Sequence, residues 1–243
     1  MHYDFDAPID RAGSDSEKWA KYAGRDILPL WVADMDFAAP PAVIDALHRR
    51  IDHGVFGYTD AWPSLTDAVV DGLQRDHGWT IEPDWLVWLP GGVAGFNLAC
   101  AIAGQPGDGV LTATPVYPPF LPAPANTGRV LQRVELVQRD GRWQWDWDAL
   151  EAACTPATRL LLLCSPHNPV GRVFDADELR RLADFAARQD LLVCSDEIHC
   201  GLVLDADRPH RPLAALDEAT ARRTITLMAP SKTWNIPALY CAF

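Results

Sequence analysis

Basic side chains are scarce in this 243-residue sequence, which has 21 Lys and Arg residues against 33 Asp and Glu residues and a formal net charge of −12. An acidic surface repels nucleic-acid phosphates and anionic lipids, so we expect no nucleic acid and no membrane among the partners. Long apolar runs are also missing, because no stretch approaches the roughly 20 apolar residues that a membrane-spanning helix needs. The first ten residues are polar and acidic, which disfavours a secretory signal peptide.

Paired cysteines are absent as well. The six cysteines form no C-x-x-C pair, and the adjacent His199 and Cys200 have no second group of ligand-type residues nearby in the sequence, so we expect no metal site. Cys164, Cys194 and Cys241 lie in apolar runs, which indicates free, buried thiols in a reducing cytoplasm. Apolar residues make up 49% of the chain, as in an ordinary globular protein.

Short apolar runs alternate with amphipathic stretches from Trp85 onward. The runs are Leu86–Leu89, Val110–Thr114, Val130–Val134, Leu160–Cys164, Leu191–Cys194 and Thr224–Met228. Several lack the alternation of a strand with one wet face, which is typical of a parallel sheet that helices cover on both sides. The sequence therefore predicts an α/β fold, a mostly parallel sheet flanked by helices in three layers. An irregular N-terminal arm over residues 1–37 and helices over 41–51 and 64–77 precede it.

Two local patterns supplement this prediction. Asp175 with Glu178 is a capping signal at the start of an amphipathic helix that reaches Gln189. Asp140-Gly141 predicts a hairpin turn, after which three tryptophans alternate with polar residues and so share one face. An aromatic stripe can stack on nucleic-acid bases, but the acidic charge favours simple packing.

Polar side chains follow three of the predicted strands. Asn168, Asp196 and Lys232 each come shortly after one of these runs. Ligands of open α/β sheets bind beyond the carboxyl ends of the strands. If the three strands are parallel, an amide, a carboxylate and an amine converge in one crevice.

Motifs around these three residues resemble those of fold-type I pyridoxal 5′-phosphate (PLP) enzymes, the aminotransferase superfamily. The motifs are Asn168-Pro169-Val170-Gly171, Ser195-Asp196-Glu197 and Ser231-Lys232. Longer strings are similar to the cystathionine β-lyase (carbon–sulfur lyase) branch of MalY/PatB type. These strings are Leu30–Phe37, Gly57–Thr59, Pro115–Phe120, Pro166–Pro169, Asp196–His199 and Pro230–Ile236. The resemblance covers nearly the whole chain.

This resemblance implies that Lys232 carries PLP as a Schiff base and, once released, removes the Cα proton of an amino-acid substrate. Burial and nearby positive charge would lower its pKa for that task. Asp196 would keep the pyridine nitrogen protonated, Asn168 would donate to the phenolic oxygen, and Tyr117 would stack on the ring. His199 would lie near the cofactor, with a hydrogen-bonded structural role as the alternative.

A phosphate site is indicated by Gly91-Gly92, which precedes an apolar helix with Val93 and Ala94 in its first turn. Helix N-termini bind anions, although a Gly-Gly turn alone is equally typical of an ordinary loop. The resemblance implies that Ser231 adds a hydroxyl to this site. It also implies that Tyr58 reaches the phosphate of a neighbouring subunit, in a homodimer with shared sites.

The implied reaction is α,β-elimination from cystathionine or another cysteine S-conjugate, which gives a thiol, pyruvate and ammonia. Two alternatives stay open: an aminotransferase of the same fold, and a non-catalytic regulatory protein or fragment. Transfer of an amino group to an α-keto acid without pyruvate release would identify the first. Failure of a folded chain to bind PLP would favour the second.

Two departures from the family pattern stand near the end of the chain. The family reads Ile-Ala-Gly-Leu where this sequence has Ile236-Pro237-Ala238-Leu239. The family also continues beyond the position of Phe243 into a C-terminal domain that carries an arginine for the substrate carboxylate. We therefore expect residues 1–45 to form the arm and part of a small domain, and residues 46–243 a large PLP-binding domain. On that basis the chain alone should have weak activity or none.

Overall fold

A five-stranded parallel sheet lies at the centre of the computed structural model, which describes residues 3–243. The strands are β1 (Gly109–Thr114), β2 (Val130–Glu135), β3 (Val137–Arg139), β4 (Arg142–Gln144), β5 (Thr158–Cys164), β6 (Leu192–Asp196) and β7 (Thr224–Leu227). The sheet order is β2-β1-β5-β6-β7, and each neighbouring pair is parallel. Strands β3 and β4 form a separate antiparallel hairpin. The predicted mostly parallel sheet is confirmed.

One predicted strand is wrong. The run Leu86–Leu89 follows a 3₁₀ turn at Pro83–Trp85 and forms no strand. Only Leu89 takes part in sheet-like pairing, an isolated antiparallel bridge to Ala242. A strand forms only where a neighbouring segment pairs with it over several residues. Among the described residues, the run Leu86–Leu89 pairs with its neighbour at one residue.

Helices cover both faces of the sheet. They are α1 (Glu17–Ala20), α2 (Pro41–His53), α3 (Pro63–His77), α4 (Gly92–Ile102), α5 (Ala123–Asn126), α6 (Trp147–Ala153), α7 (Ala176–Arg188), α8 (Glu218–Ala221) and α9 (Pro230–Thr233). Alternate residues of β5 enter opposite cores, since Leu161 and Leu163 pack with α7 whereas Leu160 and Leu162 pack with α4. This two-sided burial explains why the strand reads as an unbroken apolar run.

The two local predictions are also confirmed. The Asp175 carboxylate accepts from the Glu178 amide and the Glu178 carboxylate accepts from the Asp175 amide, both at 3.0 Å, so a capping box begins α7. Trp145 is buried, and Trp143 and Trp147 pack against the same core. The tryptophan stripe therefore belongs to the core.

Strand β7 forms one edge of the sheet. No strand of the described chain pairs with its outer side. Met228, the residue directly after β7, exchanges backbone hydrogen bonds of 2.8 and 2.9 Å with Phe243. An apolar groove of about 400 Å³ runs beside the remainder of this edge, lined in part by Leu86, Leu98 and Ile225.

A cluster of ion pairs links residues within the N-terminal arm. Arg11 lies 2.6 Å from both Asp34 and Asp36, and the buried Lys18 lies 2.7 Å from Asp36. Burial alone would raise the pKa of Asp36, but hydrogen bonds from Lys18, Trp19 and Arg11 outweigh it and lower that pKa to about 2. The expected boundary between residues 45 and 46 falls inside helix α2, none of whose residues is buried.

No helix within 3–243 combines the length and apolarity needed to cross a bilayer. The described range also contains no group of three or more His, Cys, Asp or Glu side chains that could hold a metal ion. All six cysteines are free, and Cys100, Cys164 and Cys194 are buried.

Candidate active site

Three neighbouring parallel strands bring the predicted polar residues to one edge of the sheet. Asp196 is the last residue of β6, the loop with Asn168 follows β5, and Lys232 lies in α9, shortly after β7. Since β5, β6 and β7 are adjacent and parallel, their carboxyl ends point the same way. The three loops therefore lie at one edge of the sheet, but Asp196 and Lys232 share one cavity there whereas Asn168 lines another.

A cavity of about 430 Å³ opens at this edge. Of the residues singled out from the sequence, it is lined by Gly92, Val93, Ala94, Tyr117, Asp196, Ser231 and Lys232. Its remaining wall is Pro90, Gly91, Phe96, Ile198, Ala229, Pro237, Tyr240 and Cys241. The cavity joins an amine and a carboxylate to the first turn of α4, where backbone amides have no partner within the helix.

Asp196 is the most perturbed acid of the cavity. Its side chain is buried, and among the described residues its carboxylate accepts one hydrogen bond, from the Ile198 amide at 3.3 Å. Burial raises the pKa of Asp196 to about 7, reinforced by Glu197 and opposed by the Ile198 amide and the charge of Lys232. A carboxylate in this state is suited to a further cationic or strongly polar donor inside the cavity.

Tyr117 also lines the cavity. Burial raises the pKa of its phenol, and the charge of Asp196 adds to the effect, so the hydroxyl stays protonated at neutral pH. Its ring lies edge-on to Phe120, with centroids 6.4 Å apart, and Phe120 is itself fully buried. The aromatic ring is thus held by the core while it faces the cavity.

Three predicted site residues lie elsewhere. Asn168 and His199 line a neighbouring cavity of about 580 Å³ together with Arg172 and Arg208. Burial and the charge of Lys232 lower the pKa of His199, so its imidazole is neutral at pH 7. Tyr58 is fully exposed in the segment between α2 and α3 and lines neither cavity.

Two features of the site were not found from the sequence. Glu197 is fully buried and accepts hydrogen bonds from Ser195 at 2.7 Å, Leu213 at 3.1 Å and His210 at 2.7 Å. Two of these partners, His210 and Leu213, follow 13 and 16 residues later, and no spacing rule points from them back to Glu197. Lys232 also lines a second cavity of about 810 Å³, whose other wall includes the arm segment 32–39.

Known proteins are similar to this chain in architecture and in sequence. The family model for aminotransferase class I and II matches residues 25–243. Cystathionine beta-lyase PatB of Bacillus subtilis (strain 168) is 39% identical over 240 residues, which are 97% of this chain and 62% of that protein. The crystal structure of OvoB superposes with a TM-score of 0.95 at 47% identity, covering 99% of this chain and 63% of that one.

The crystal structure of cystalysin from Treponema denticola contains a pyridoxal 5′-phosphate cofactor. It superposes with a TM-score of 0.93 at 38% identity, over 100% of this chain and 63% of that one. The chain thus spans slightly less than two thirds of the length of the relatives it matches.

Proposed function

This chain belongs to the class I and II aminotransferase family, and on that premise we propose that it binds PLP beside Lys232 as part of a carbon–sulfur β-lyase. The observation that carries the proposal is the buried Asp196 carboxylate, which shares one cavity with the Lys232 amine at the ends of adjacent parallel strands. PatB, a cystathionine beta-lyase that matches nearly the whole of this chain, favours the lyase branch, and the cofactor in cystalysin favours PLP.

The residues of the cavity fit PLP. Lys232 would hold the cofactor through its amine, and Asp196 would pair with a protonated ring nitrogen, which its single weak hydrogen bond leaves room for. The phosphate would be bound by the backbone amides of Gly92, Val93 and Ala94 in the first turn of α4, with the Ser231 hydroxyl beside them.

In the proposed reaction, bound PLP supplies an electron-withdrawing ring that stabilises negative charge at the substrate Cα. Once the substrate amine has replaced it on the cofactor, Lys232 Nζ would take the Cα proton, because the freed amine stays in the same cavity. The negative charge of Asp196 would keep the ring nitrogen protonated, and Tyr117 would exclude water from one face of the site. The overall change is α,β-elimination from a cysteine S-conjugate such as cystathionine, followed by hydrolysis with one water molecule, giving a thiol, pyruvate and ammonia.

Asn168, His199 and Tyr58 are proposed as further contributors. Asn168 and His199 would act from the neighbouring cavity, His199 as a neutral imidazole. Tyr58 would serve a second subunit of a homodimer, which is supported by its full exposure and by the exposed Val55, Phe56 and Trp62 around it.

The proposed enzyme would have two structural parts within this chain. Residues 46–243 would form the PLP-binding large domain, and residues 1–45 the arm and part of a small domain. The six free thiols support a reducing compartment, so we propose the cytoplasm as the location. An aminotransferase remains the second candidate, because the matching family model describes aminotransferases.

Visible absorption after incubation with PLP and dialysis tests the cofactor site. We expect the wild-type chain to retain a cofactor band, Lys232→Ala to lose it, and Lys21→Ala, a matched control at an exposed lysine, to keep it. A folded wild-type chain without a band would contradict the proposal. With the band established, pyruvate release from cystathionine, even at the low rate expected of this chain, supports the lyase, whereas amino transfer to an α-keto acid without pyruvate supports the aminotransferase.

A further inference from the structure

The side chain of Asn235 joins two distant parts of the chain. Its carboxamide oxygen accepts from the Met35 amide at 2.8 Å, and its nitrogen donates to the carbonyls of Met35 at 3.0 Å and Phe37 at 2.9 Å. Every hydrogen bond that the structure describes between residues 3–39 and residues 78–243 is one of these three. A single carboxamide thus carries the direct polar connection between the arm and the α/β body in the described chain.

The arm side of this connection is stiff. Residues 34–37 of the arm segment contact Asn235. They include Asp34 and Asp36, which are bound by Arg11, Lys18 and Trp19. The Lys18 amine also donates to the Asp34 carbonyl at 3.0 Å, so the backbone of the segment is tied from within the arm. Because the arm segment is already ordered by its own contacts, fixing it at one further point fixes its position as a unit.

The body side is stiff as well. The turn that carries Lys232 is closed by backbone bonds from Trp234 to Pro230 at 3.0 Å and from Ile236 to Ser231 at 2.9 Å. Asn235 lies within this closed turn with a φ of 54°, a left-handed conformation that Asn tolerates better than most side chains. The carboxamide of Asn235 is therefore attached to a fixed backbone position, three residues beyond Lys232.

The arm and Lys232 face the same space. The cavity of about 810 Å³ is bordered by Lys232 and Asn235 on one side and by the arm segment, from Asp34 to Phe37, on the other. We propose that Asn235 is a positioning residue that clamps the arm over this second cavity and so covers the Lys232 amine. The inference deepens the proposed function, because that function rests on the same lysine.

The lysine content allows a direct test on the cofactor-free chain. The sequence has three lysines, Lys18, Lys21 and Lys232, so each can be followed separately by peptide mass spectrometry. Reductive methylation with formaldehyde and sodium cyanoborohydride measures how accessible each amine is. Lys18 reports on the ion cluster of the arm, and the exposed Lys21 is an internal reference.

The informative variant is Asn235→Gly, because glycine keeps the left-handed backbone while removing the carboxamide. We expect Lys232 to be methylated at least threefold faster than in the wild type, with unchanged rates at Lys18 and Lys21. Asp140→Gly is the matched control, since Asp140 also has a positive φ of 52° but lies in the exposed β3–β4 turn. It should leave all three rates unchanged.

A second variant approaches the clamp from the arm. Asp36→Asn weakens the ion cluster without altering the lysine turn, and it should accelerate methylation of both Lys18 and Lys232. Equal Lys232 rates in wild type and Asn235→Gly would overturn the proposal. So would faster labelling of Lys18 in Asn235→Gly, because Asn235 would then support the folding of the arm instead of its placement. Neither result depends on PLP, so failure of the cofactor test would leave this test intact.

Discussion

Asp196 links the proposed site to the stability of the fold. Its pKa of about 7 in the folded chain lies above the ordinary value of 3.8, so folding favours the protonated carboxyl. This contribution to stability is fully present below about pH 4 and is lost as the pH rises through 7. At about 1.4 kcal/mol per pKa unit, the loss has an upper bound of about 4 kcal/mol.

At this residue scale, Asp196→Asn should remove most of that pH dependence. We expect the free energy of unfolding of the cofactor-free variant to fall less than that of the wild type between pH 4 and pH 7, measured by urea denaturation at several pH values. Asp140→Asn, at an exposed turn, is the matched control and should follow the wild-type profile. An unchanged profile in Asp196→Asn would show that the carboxyl is ionised well below pH 7.

At the scale of elements, the turn after β6 packs closely against α9. A Cβ atom added at Gly201 would lie 2.4 Å from Thr233 Oγ1 and 3.1 Å from Thr233 Cβ. Thr233 is β-branched and short, so α9 must move to accommodate a methyl group. Gly201→Ala should therefore lower the free energy of unfolding by about 1–3 kcal/mol, as overpacked sites do.

The matched control is Gly72→Ala in α3, where an added Cβ would meet only the end of Arg75 at 3.7 Å. Helix propensity should make that variant more stable by about 0.5–1 kcal/mol. Both values come from the same chemical-denaturation measurement. Equal effects of the two substitutions would mean that the contact between Gly201 and Thr233 carries no energetic weight.

Strand positions could be predicted from the sequence, whereas contacts between distant residues could not. Apolar runs predicted all five strands of the sheet, most clearly the inner strands β1, β5 and β6, which are buried on both faces. The run Leu86–Leu89 is equally apolar but forms no strand, since a strand also needs a neighbouring segment that pairs with several of its residues. The contact at Asn235 spans 200 residues, so no local pattern could reveal it, and His210, which donates to Glu197, follows 13 residues later with no periodic pattern between them.

At the scale of the whole molecule, the proposed homodimer makes a distinct prediction. Val55, Phe56 and Trp62 are large exposed apolar residues beside Tyr58, so sedimentation velocity should detect a dimer that Phe56→Ser dissociates. Leu204→Ser is the matched control, because Leu204 is also exposed, at 95%, in a different loop. The charge of −12 on each chain adds repulsion, so association should strengthen with salt. A monomer at every concentration and salt condition would exclude this dimer.

The outer edge of β7 has a consequence for how the purified chain behaves in solution. Backbone amides and carbonyls without sheet partners in the described chain lie there beside an apolar groove, and such an edge is a template for strands from other molecules. Mild heating should therefore cause light scattering that increases with protein concentration before the core unfolds. A short apolar peptide in extended conformation, added in excess, should occupy the edge and delay this aggregation.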